Sequence, residues 1–318
     1  MVVLIYGEIC LFTYCGPSKL TGSVMIQEHK FLRMHDGIEL HARIQETGSP
    51  VWLIKTHGIG EHLERHNYIP ELFGKDFNIF QYDLRGHGRS MGEAGFINDF
   101  TIFMEDLEEI ISFLRKHYKM QRYVMVAHSM GALINCGYLK TFAAEDFYPE
   151  RVFFNAPPVG FPGALGQLIR VSPLPIFKNL AKLPASLKLG GLVDLDYLSH
   201  DPHVKDDYLK DELNHTKLHS KLLLEMVKSS QEVFSSAIHP KCPAFVTVGS
   251  EDRVVHSNSL IDYFNLIEKD FDLKVFEGAY HEIHNEIEKY RKPYFSHMKN
   301  SLMECFYKSP EDNEDRVH

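Results

Sequence analysis

The stretch from Arg122 to Leu133 limits the fold of this chain more than any other. A β-prone and apolar run at 123–127 is followed closely by a helical pattern, so a strand must turn sharply into a helix at 128–130. Ala127 and Gly131 flank Ser129 at the two positions where a large side chain would push strand and helix apart. The stretch matches the nucleophile elbow G-x-S-x-G with alanine in the first position. The alternative is a chance serine in an ordinary buried turn.

Short strand patterns alternate with amphipathic helix patterns on both sides of this turn. The opening patterns at 28–34 and 39–45 are separated by His35-Asp36-Gly37, and Asp-Gly between such runs predicts a hairpin. The later strand patterns lie at 51–55, 78–83, 151–155, 244–249 and 273–277. Alternating strands and helices form a mostly parallel sheet with helices on both faces, so we predict an α/β fold.

This alternation stops between 157 and 240, where prolines separate short helical patterns. The change predicts a helical cap inserted into one α/β core that consists of residues 25–156 and 241–307. Residues 1–24 are predicted to be an N-terminal extension, either a signal or anchor or a dispensable segment before a start at Met25. Residues 308–318 form an acidic tail with the composition of a disordered segment.

Composition argues against several classes of partner. A formal net charge of −9 argues against nucleic acid, because phosphate backbones select basic surfaces. The five cysteines are scattered and contain no C-x-x-C pair, so neither a disulfide framework nor a zinc site is predicted. No apolar run reaches the roughly 18 residues that indicate a transmembrane helix. We therefore expect a cytoplasmic or peripherally membrane-associated protein, with export through residues 1–24 left open.

A serine hydroxyl is a poor nucleophile at neutral pH unless a base oriented by a carboxylate lies beside it. In a parallel sheet these partners should occupy loops at the carboxyl ends of later strands. Two loops qualify, since residues 249–255 contain Asp252 and residues 278–281 end in His281. The resulting chain order of serine, aspartate and histidine is the one expected for a hydrolase with this architecture.

Five segments carry a family signature: HGxGEH at 57–62, DxRGHGxS at 83–90, AHSMG at 127–131, the Asp252 loop, and GAYH at 278–281. Together they resemble the monoacylglycerol lipase and lysophospholipase branch of the α/β-hydrolase fold family. The resemblance extends over about residues 28–307 and is specific as a set.

The resemblance implies a role for each residue of the site. Ser129 would be the nucleophile, His281 the general base and then the general acid, and Asp252 the carboxylate that orients the histidine. The backbone N–H groups of Ile59 and Met130 would form the oxyanion hole. The implied mechanism requires neither a metal nor a cofactor.

Two positions depart from the family pattern, and three more lie near the pocket by family analogy. Ala127 replaces the more usual glycine, and Ile59 is bulkier than the small residue common at that position, which would narrow the acyl entrance. The resemblance places Glu61, Arg65 and His284 near the mouth of the pocket, where they would hydrogen-bond a glycerol or a headgroup. Alternatively, these three residues are loop braces or surface charges.

The predicted cap gives a clue to the substrate. No acidic residue occurs between Val159 and Val193, although the protein is acidic overall. The basic residues of this stretch are spaced among apolar ones: Arg170, Lys178, Lys182 and Lys188. An apolar and basic surface can lie on an anionic lipid interface, which predicts a peripheral membrane contact through the cap. The alternative is that these residues roof the pocket and the lysines point into water.

We therefore predict a serine hydrolase that cleaves carboxylic esters of single-chain lipids, of the monoacylglycerol lipase or lysophospholipase type, through an acyl-enzyme intermediate. The alternatives are an aminopeptidase-like enzyme or a short-chain esterase of the same fold, and a catalytically silent protein that only binds ligands. An aminopeptidase needs an acidic site for a free amine, and the acid-free stretch at 159–193 argues against it. Acyl chain length, headgroup and oligomeric state stay open at this stage.

Overall fold

An eight-stranded sheet forms the centre of the computed structural model, which describes residues 26–163, 186–191 and 194–306. In chain order the strands are Ile26–Arg33 (β1), Glu39–Glu46 (β2), Val51–Thr56 (β3), Asn78–Tyr82 (β4), Arg122–His128 (β5), Arg151–Asn155 (β6), Lys188–Gly190 (β7), Lys217–His219 (β8), Ala244–Gly249 (β9) and Phe271–Phe276 (β10). The order across the large sheet is β1-β2-β4-β3-β5-β6-β9-β10. β7 and β8 pair separately as a small antiparallel sheet.

Helices cover both faces of the large sheet. Those in the described residues are Tyr68–Phe73 (α1), Thr101–His117 (α2), Met130–Thr141 (α3), Pro202–Lys210 (α4), Ser220–Val233 (α5), Ser257–Leu266 (α6) and Glu288–Met303 (α7). None of these helices combines the length and the apolar character needed to cross a bilayer.

The sheet is parallel except at its β1 edge. β1 and β2 form the predicted antiparallel hairpin, and β2 is also antiparallel to β4. Every other neighbouring pair in the large sheet is parallel. The predicted α/β fold, with a mostly parallel sheet and helices on both faces, is confirmed.

Each face of the sheet buries its own hydrophobic cluster. Trp52 and Ile54 belong to the cluster on the side of α2 and α3, whereas Val51 and Leu53 of the same strand belong to the cluster that includes α1 and α7. All six residues of β3 are buried, as expected for a parallel strand covered on both sides. Full burial of one large apolar side chain contributes roughly 1.5–3 kcal/mol to the free energy of folding. Because successive β3 side chains point to opposite faces of the sheet, the strand stabilises the packing of helices on both faces.

The closing helix differs from the sequence prediction. The sequence indicates a helix from about residue 285 that is kinked or restarted at Pro293, but α7 begins at Glu288 and continues through Pro293. Proline has no N–H to donate to the carbonyl four residues earlier, at Lys289, and its ring crowds that carbonyl. Lys289 is an exposed residue in the first turn of α7, so the lost hydrogen bond affects only the start of the helix.

The chain between β6 and β9 contains helices and one short strand pair. Its described parts are α4, α5 and the β7–β8 pair, and α5 packs against α3. The sequence predicts short helices here but no strands, because three-residue strands are too short to show alternation. Arg170, Lys178 and Lys182 lie outside the described residues, as do residues 1–24 and 308–318. Lys188 is exposed on β7.

Candidate active site

Ser129 occupies the sharp turn between β5 and α3. Its backbone has φ 52° and ψ −122°, a conformation that residues with a side chain rarely adopt. The Ser129 N–H donates to the carbonyl of Asn155 at 2.8 Å. Gly131 allows α3 to approach the end of β3, since a Cβ at this position would lie 2.3 Å from the carbonyl oxygen of His57. The turn therefore holds the Ser129 hydroxyl at the carboxyl end of the sheet.

The structure brings Ser129, His281 and Asp252 together in one chain of hydrogen bonds. The Ser129 Oγ lies 3.0 Å from Nε2 of His281, and Nδ1 of His281 lies 2.6 Å from Oδ2 of Asp252. The other oxygen of Asp252 accepts hydrogen bonds from the N–H groups of Val254 and Val255, at 2.8 and 3.0 Å. With its proton on Nδ1 donated to Asp252, the ring presents Nε2 as the acceptor for the serine hydroxyl.

The pKa of His281 lies above its ordinary value. Burial of the ring lowers the pKa, but the Asp252 carboxylate favours the protonated ring and outweighs burial. The carboxylates of Glu282 and Glu61 raise the pKa further. His281 is therefore suited to take a proton from Ser129 and to hold it while negative charge forms nearby.

Two backbone N–H groups belong to residues near Ser129, one its neighbour in the chain and one a residue of the same cavity. Met130 is the first residue of α3, so its N–H has no partner within the helix. Ile59 lines the same cavity as Ser129, in a loop where the N–H of Gly58 donates to the Glu61 carboxylate. Within the described part of the chain, neither the Ile59 nor the Met130 N–H donates a hydrogen bond. Both groups are therefore available to a negatively charged oxygen.

The cavity in front of Ser129 is narrow and partly acidic. Its volume is about 20 Å³, which is room for roughly one water molecule. Its walls include Ile59, His128, the acidic residues Glu61 and Glu282, and two residues from the segment between β6 and β9, Leu198 and Tyr208. A lipid ester must therefore widen this cavity to reach Ser129.

Arg65 joins the two carboxylates of the cavity wall. Its Nη2 donates to both oxygens of Glu282, at 2.8 and 2.6 Å, and its Nε donates to Glu61 at 3.2 Å. The guanidinium also lies over the ring of Tyr208, 4.8 Å from its centroid. Burial lowers the pKa of Arg65, but the two carboxylates outweigh burial and raise it above its ordinary value. Direct contact of Glu61 or Arg65 with substrate stays a prediction.

His284 is buried next to the cavity and does not line it. Its ring packs on those of His66, Tyr68 and His128, with centroid distances of 4.9, 5.0 and 4.8 Å. Neither ring nitrogen has a hydrogen-bond partner among the described residues. Burial holds the pKa of His284 well below its ordinary value, so the ring is neutral. A hydrogen bond from His284 to a headgroup stays a prediction.

Glu286 is a buried carboxylate that the sequence analysis missed. It accepts hydrogen bonds from Nδ1 of His200 at 2.7 Å, from the His200 N–H at 3.1 Å and from the Tyr280 N–H at 2.9 Å. The Ser199 hydroxyl donates to it at 3.3 Å. No motif marks this glutamate, because its partners at 199–200 lie more than eighty residues away.

The same segment is joined to the histidine loop through the backbone. The N–H of His281 donates to the carbonyl of Tyr197 at 3.2 Å, and the N–H of Glu282 donates to that of Leu198 at 2.8 Å. Glu286 and this backbone pairing therefore fasten residues 197–200 to the loop that carries His281.

No group of three or more His, Cys, Asp or Glu side chains is arranged to hold a metal ion in residues 26–163, 186–191 and 194–306. The chemistry that the described site supports is proton transfer and nucleophilic attack by its own side chains.

Comparisons with known proteins identify similar sequences. The family model described as serine aminopeptidase, S33, matches residues 51–288. A monoglyceride lipase from Homo sapiens is 29% identical over 289 residues, covering 86% of this chain and 89% of that protein. A monoacylglycerol lipase from Mycolicibacterium smegmatis is 28% identical over 242 residues, covering 74% of this chain and 83% of that protein.

Solved structures show the same fold. The monoacylglycerol lipase of Paleococcus ferrophilus superposes with a TM-score of 0.71 at 24% identity, covering 82% of this chain and 97% of that chain. A soluble variant of the monoglyceride lipase from Saccharomyces cerevisiae, in complex with a substrate analogue, superposes with a TM-score of 0.70 at 18% identity. The match covers 89% of this chain and 96% of that chain.

Replacing Glu286 should destabilise the protein. Glu286→Ala removes a buried carboxylate that accepts from the N–H groups of His200 and Tyr280 and from the His200 ring, while the Ser199 hydroxyl keeps the carbonyl of Asn285 as an acceptor. We expect a loss of about 2 kcal/mol in the free energy of unfolding. Urea denaturation followed by circular dichroism measures this loss. The matched control is Glu288→Ala, since Glu288 is exposed and pairs only with the exposed Lys292 among the described residues. Equal stability of the two variants would show that the Glu286 contacts contribute little.

Proposed function

Because the chain belongs to the family described as serine aminopeptidase, S33, we propose that it is a serine hydrolase that cleaves the carboxylic esters of single-chain lipids, monoacylglycerols or lysophospholipids. The observation that carries this proposal is the hydrogen-bonded chain from Ser129 through His281 to Asp252. The monoglyceride and monoacylglycerol lipases among its relatives support a lipid ester as the substrate.

In the proposed cycle Ser129 Oγ attacks the acyl carbon while its proton passes to Nε2 of His281. The proton then moves to the alcohol oxygen as the bond between that oxygen and the acyl carbon breaks, which releases the alcohol and leaves an acyl-serine. Water attacks the acyl carbon next, His281 takes its proton and returns it to Ser129, and the fatty acid leaves. Asp252 keeps the ring oriented and stabilises its positive charge.

We assign the oxyanion hole to the backbone N–H groups of Ile59 and Met130. The tetrahedral intermediate places a negative charge on the former carbonyl oxygen, and preorganised donors stabilise it. Loss of one such donor in other hydrolases costs about 2.7–4 kcal/mol. The absence of acceptors for both N–H groups among the described residues supports the assignment. Ile59 lines the cavity, which supports a narrow passage for the acyl group.

We assign residues 157–240 as a cap over a core formed by residues 25–156 and 241–307. Leu198 and Tyr208 line the cavity in front of Ser129, and residues 197 and 198 accept hydrogen bonds from the histidine loop. Both observations support a segment that covers the site rather than one that lies elsewhere on the surface.

The aminopeptidase alternative gains one argument from the structure. Glu61 and Glu282 line the cavity, and an acidic wall suits a free amine. Arg65 neutralises one of these two charges, however, and holds both carboxylates by hydrogen bonds. We therefore favour the ester substrate, and aminoacyl p-nitroanilides tested beside monoacylglycerols distinguish the two enzymes directly.

We also propose that the cap contacts lipid surfaces. Leu187 and Leu189 flank Lys188 and are 69% and 39% exposed, which is unusual for leucine and suits an interface.

A triple change of Lys178, Lys182 and Lys188 to Glu should weaken binding to vesicles that contain anionic lipid, measured by co-sedimentation. The control changes three exposed lysines elsewhere: Lys75, Lys116 and Lys269. If the wild-type protein, the triple variant and the control all bind anionic and neutral vesicles equally well, the proposed contact is refuted.

Ser129→Ala tests the nucleophile. It should lower kcat/KM for fatty acid release from 1-oleoylglycerol by about 10⁴-fold or more, because the remaining groups cannot form the acyl-enzyme. A fluorophosphonate probe should label the wild-type protein and the control Ser235→Ala, whose serine is exposed, but not Ser129→Ala. A wild-type protein that neither reacts with the probe nor releases fatty acid would be a silent binding protein.

The pH profile tests the role of Asp252. Because His281 must be neutral to act as base, activity falls as the pH falls through its pKa, and the acidic limb of kcat/KM should lie above about 6.5. Asp252→Asn removes the charge that raises this pKa. The acidic limb should then move to lower pH, and kcat should fall by about 10⁴-fold. The control Asp262→Asn changes an exposed carboxylate and should keep the wild-type profile. An unmoved limb in Asp252→Asn would contradict the assignment.

A further inference from the structure

Asn155 ends β6 and is hydrogen-bonded to both the serine turn and the histidine loop. Its carbonyl accepts from the N–H of Ser129 at 2.8 Å, and its Nδ2 donates to the carbonyl of His281 at 3.1 Å. One residue therefore joins the backbone of the nucleophile to the backbone of the base. Asn155 is 1% exposed, and the proposed catalytic cycle gives its side chain no chemical role.

Three contacts fix the direction in which the Asn155 amide points. Its Nδ2 donates to Nδ1 of His128 at 2.9 Å as well as to the His281 carbonyl, and its Oδ1 accepts from the Thr247 hydroxyl at 2.9 Å. Rotation of the amide by 180° would place Oδ1 against the His281 carbonyl oxygen, and two acceptors at that distance repel each other. Both hydrogens of the amide are therefore used, one on His281 and one on His128.

The contact with His128 also fixes the protonation of that ring. Because Nδ2 of Asn155 can only donate, Nδ1 of His128 must accept, and the neutral ring carries its proton on Nε2. Burial, and then the neighbouring His281 and His284, hold the pKa of His128 well below its ordinary value, in agreement with a neutral ring. The His128 ring packs on the His281 ring with a centroid distance of 4.7 Å. Asn155 thus supports His281 through a packed neighbour as well as through its backbone.

The amide of Asn155 is anchored in the sheet and not in a loop. Thr247 is the partner of Asn155 in the parallel pairing of β6 with β9, and its side chain is fully buried. The carbonyl of His281 is therefore held from the side of the sheet. Its N–H is held from the other side, by the carbonyl of Tyr197. The backbone of the base is fixed between these two contacts.

We infer that Asn155 is a positioning residue for catalysis, whose amide holds the backbone of His281 at a fixed place relative to the turn that carries Ser129. Acylation and deacylation both need Nε2 of His281 within hydrogen-bond distance of the attacking oxygen. A misplacement of about 1 Å can lower a rate by about 10²-fold. This inference rests on the proposed function and adds a residue that acts through His281.

Asn155→Ala tests the inference. The variant removes the donor to the His281 carbonyl but does not change the cavity wall, because Asn155 does not line the cavity. We expect kcat for fatty acid release from 1-decanoylglycerol, kept below its critical micelle concentration, to fall by about 10²-fold. KM should change by less than about twofold, because the loss affects the chemical steps and not the binding of the ester. Titration of the released acid measures both constants.

The matched control is Asn78→Ala. Asn78 begins β4, at the end of the strand away from the site, and is also buried. Its amide accepts from the N–H of Thr47 at 2.7 Å and donates to the carbonyl of Ser49 at 2.8 Å. Both variants remove a buried, hydrogen-bonded amide, so both should lower Tm, measured by circular dichroism. Only Asn155→Ala should lower kcat, because a purely structural asparagine affects stability alone.

The outcomes that overturn the inference are specific. One is a kcat for Asn155→Ala within about threefold of that for Asn78→Ala, and another is a loss that appears only in KM. If Asn155→Ala does not fold, Thr247→Val removes the hydroxyl that holds the amide and keeps the shape of the side chain. It should lower kcat by about fivefold, and Thr247→Ser, which keeps the hydroxyl, should lower it less. Equal kcat values for these two variants would also overturn the inference.

The wild-type protein tests the proposed function separately. If it neither cleaves 1-decanoylglycerol nor reacts with a fluorophosphonate, the proposed function is refuted. If it does both and Asn155→Ala keeps the kcat of the control, only the role of Asn155 is refuted.

Discussion

The close approach of α3 to the end of β3 is the constraint on which the site depends. Gly131 permits it, because any Cβ there would collide with the carbonyl of His57. The approach forces Ser129 into a backbone conformation with positive φ, at a cost of about 1–3 kcal/mol. Burial of β3 and β5 between helices offsets this strain. One turn thereby sets the direction of the Ser129 hydroxyl and exposes the N–H of Met130.

A layer of buried histidines around this turn shows how one carboxylate changes the chemistry of an imidazole. Burial lowers the pKa of His57, His66, His128 and His284, so all four are neutral at neutral pH. His281 is equally buried, yet its pKa is raised. The difference is the Asp252 carboxylate at 2.6 Å from its ring. Neutral rings nearby can pack closely without competing with His281 for a proton.

Local patterns in the sequence predicted most of the fold, and one motif predicted the position of the turn. Strand alternation, the Asp-Gly hairpin and the elbow spacing are each properties of a few adjacent residues. Gly131 and Ser129 were identifiable for the same reason. By contrast, β7 and β8 are too short to show alternation, and helix α7 contains Pro293 close enough to its start that only a hydrogen bond of the first turn is lost.

The carboxylates Glu282 and Glu286 escaped prediction because their roles depend on distant segments. Glu282 is hydrogen-bonded to Arg65, and Glu286 to residues 199–200, in segments far away along the chain. Sequence spacing carries no information about such pairings. The chain order of serine, aspartate and histidine was visible in the sequence because each residue follows a strand of one parallel sheet.

The backbone pairing of residues 197–198 with His281 and Glu282 has a thermodynamic consequence. Displacement of that segment breaks the hydrogen bonds that steady the histidine, so access to the serine and alignment of the imidazole share one equilibrium. A molecule that shifts this equilibrium toward the paired arrangement orders both elements together. Occupancy of the site and the readiness of its base are thus linked properties of a single cooperative unit.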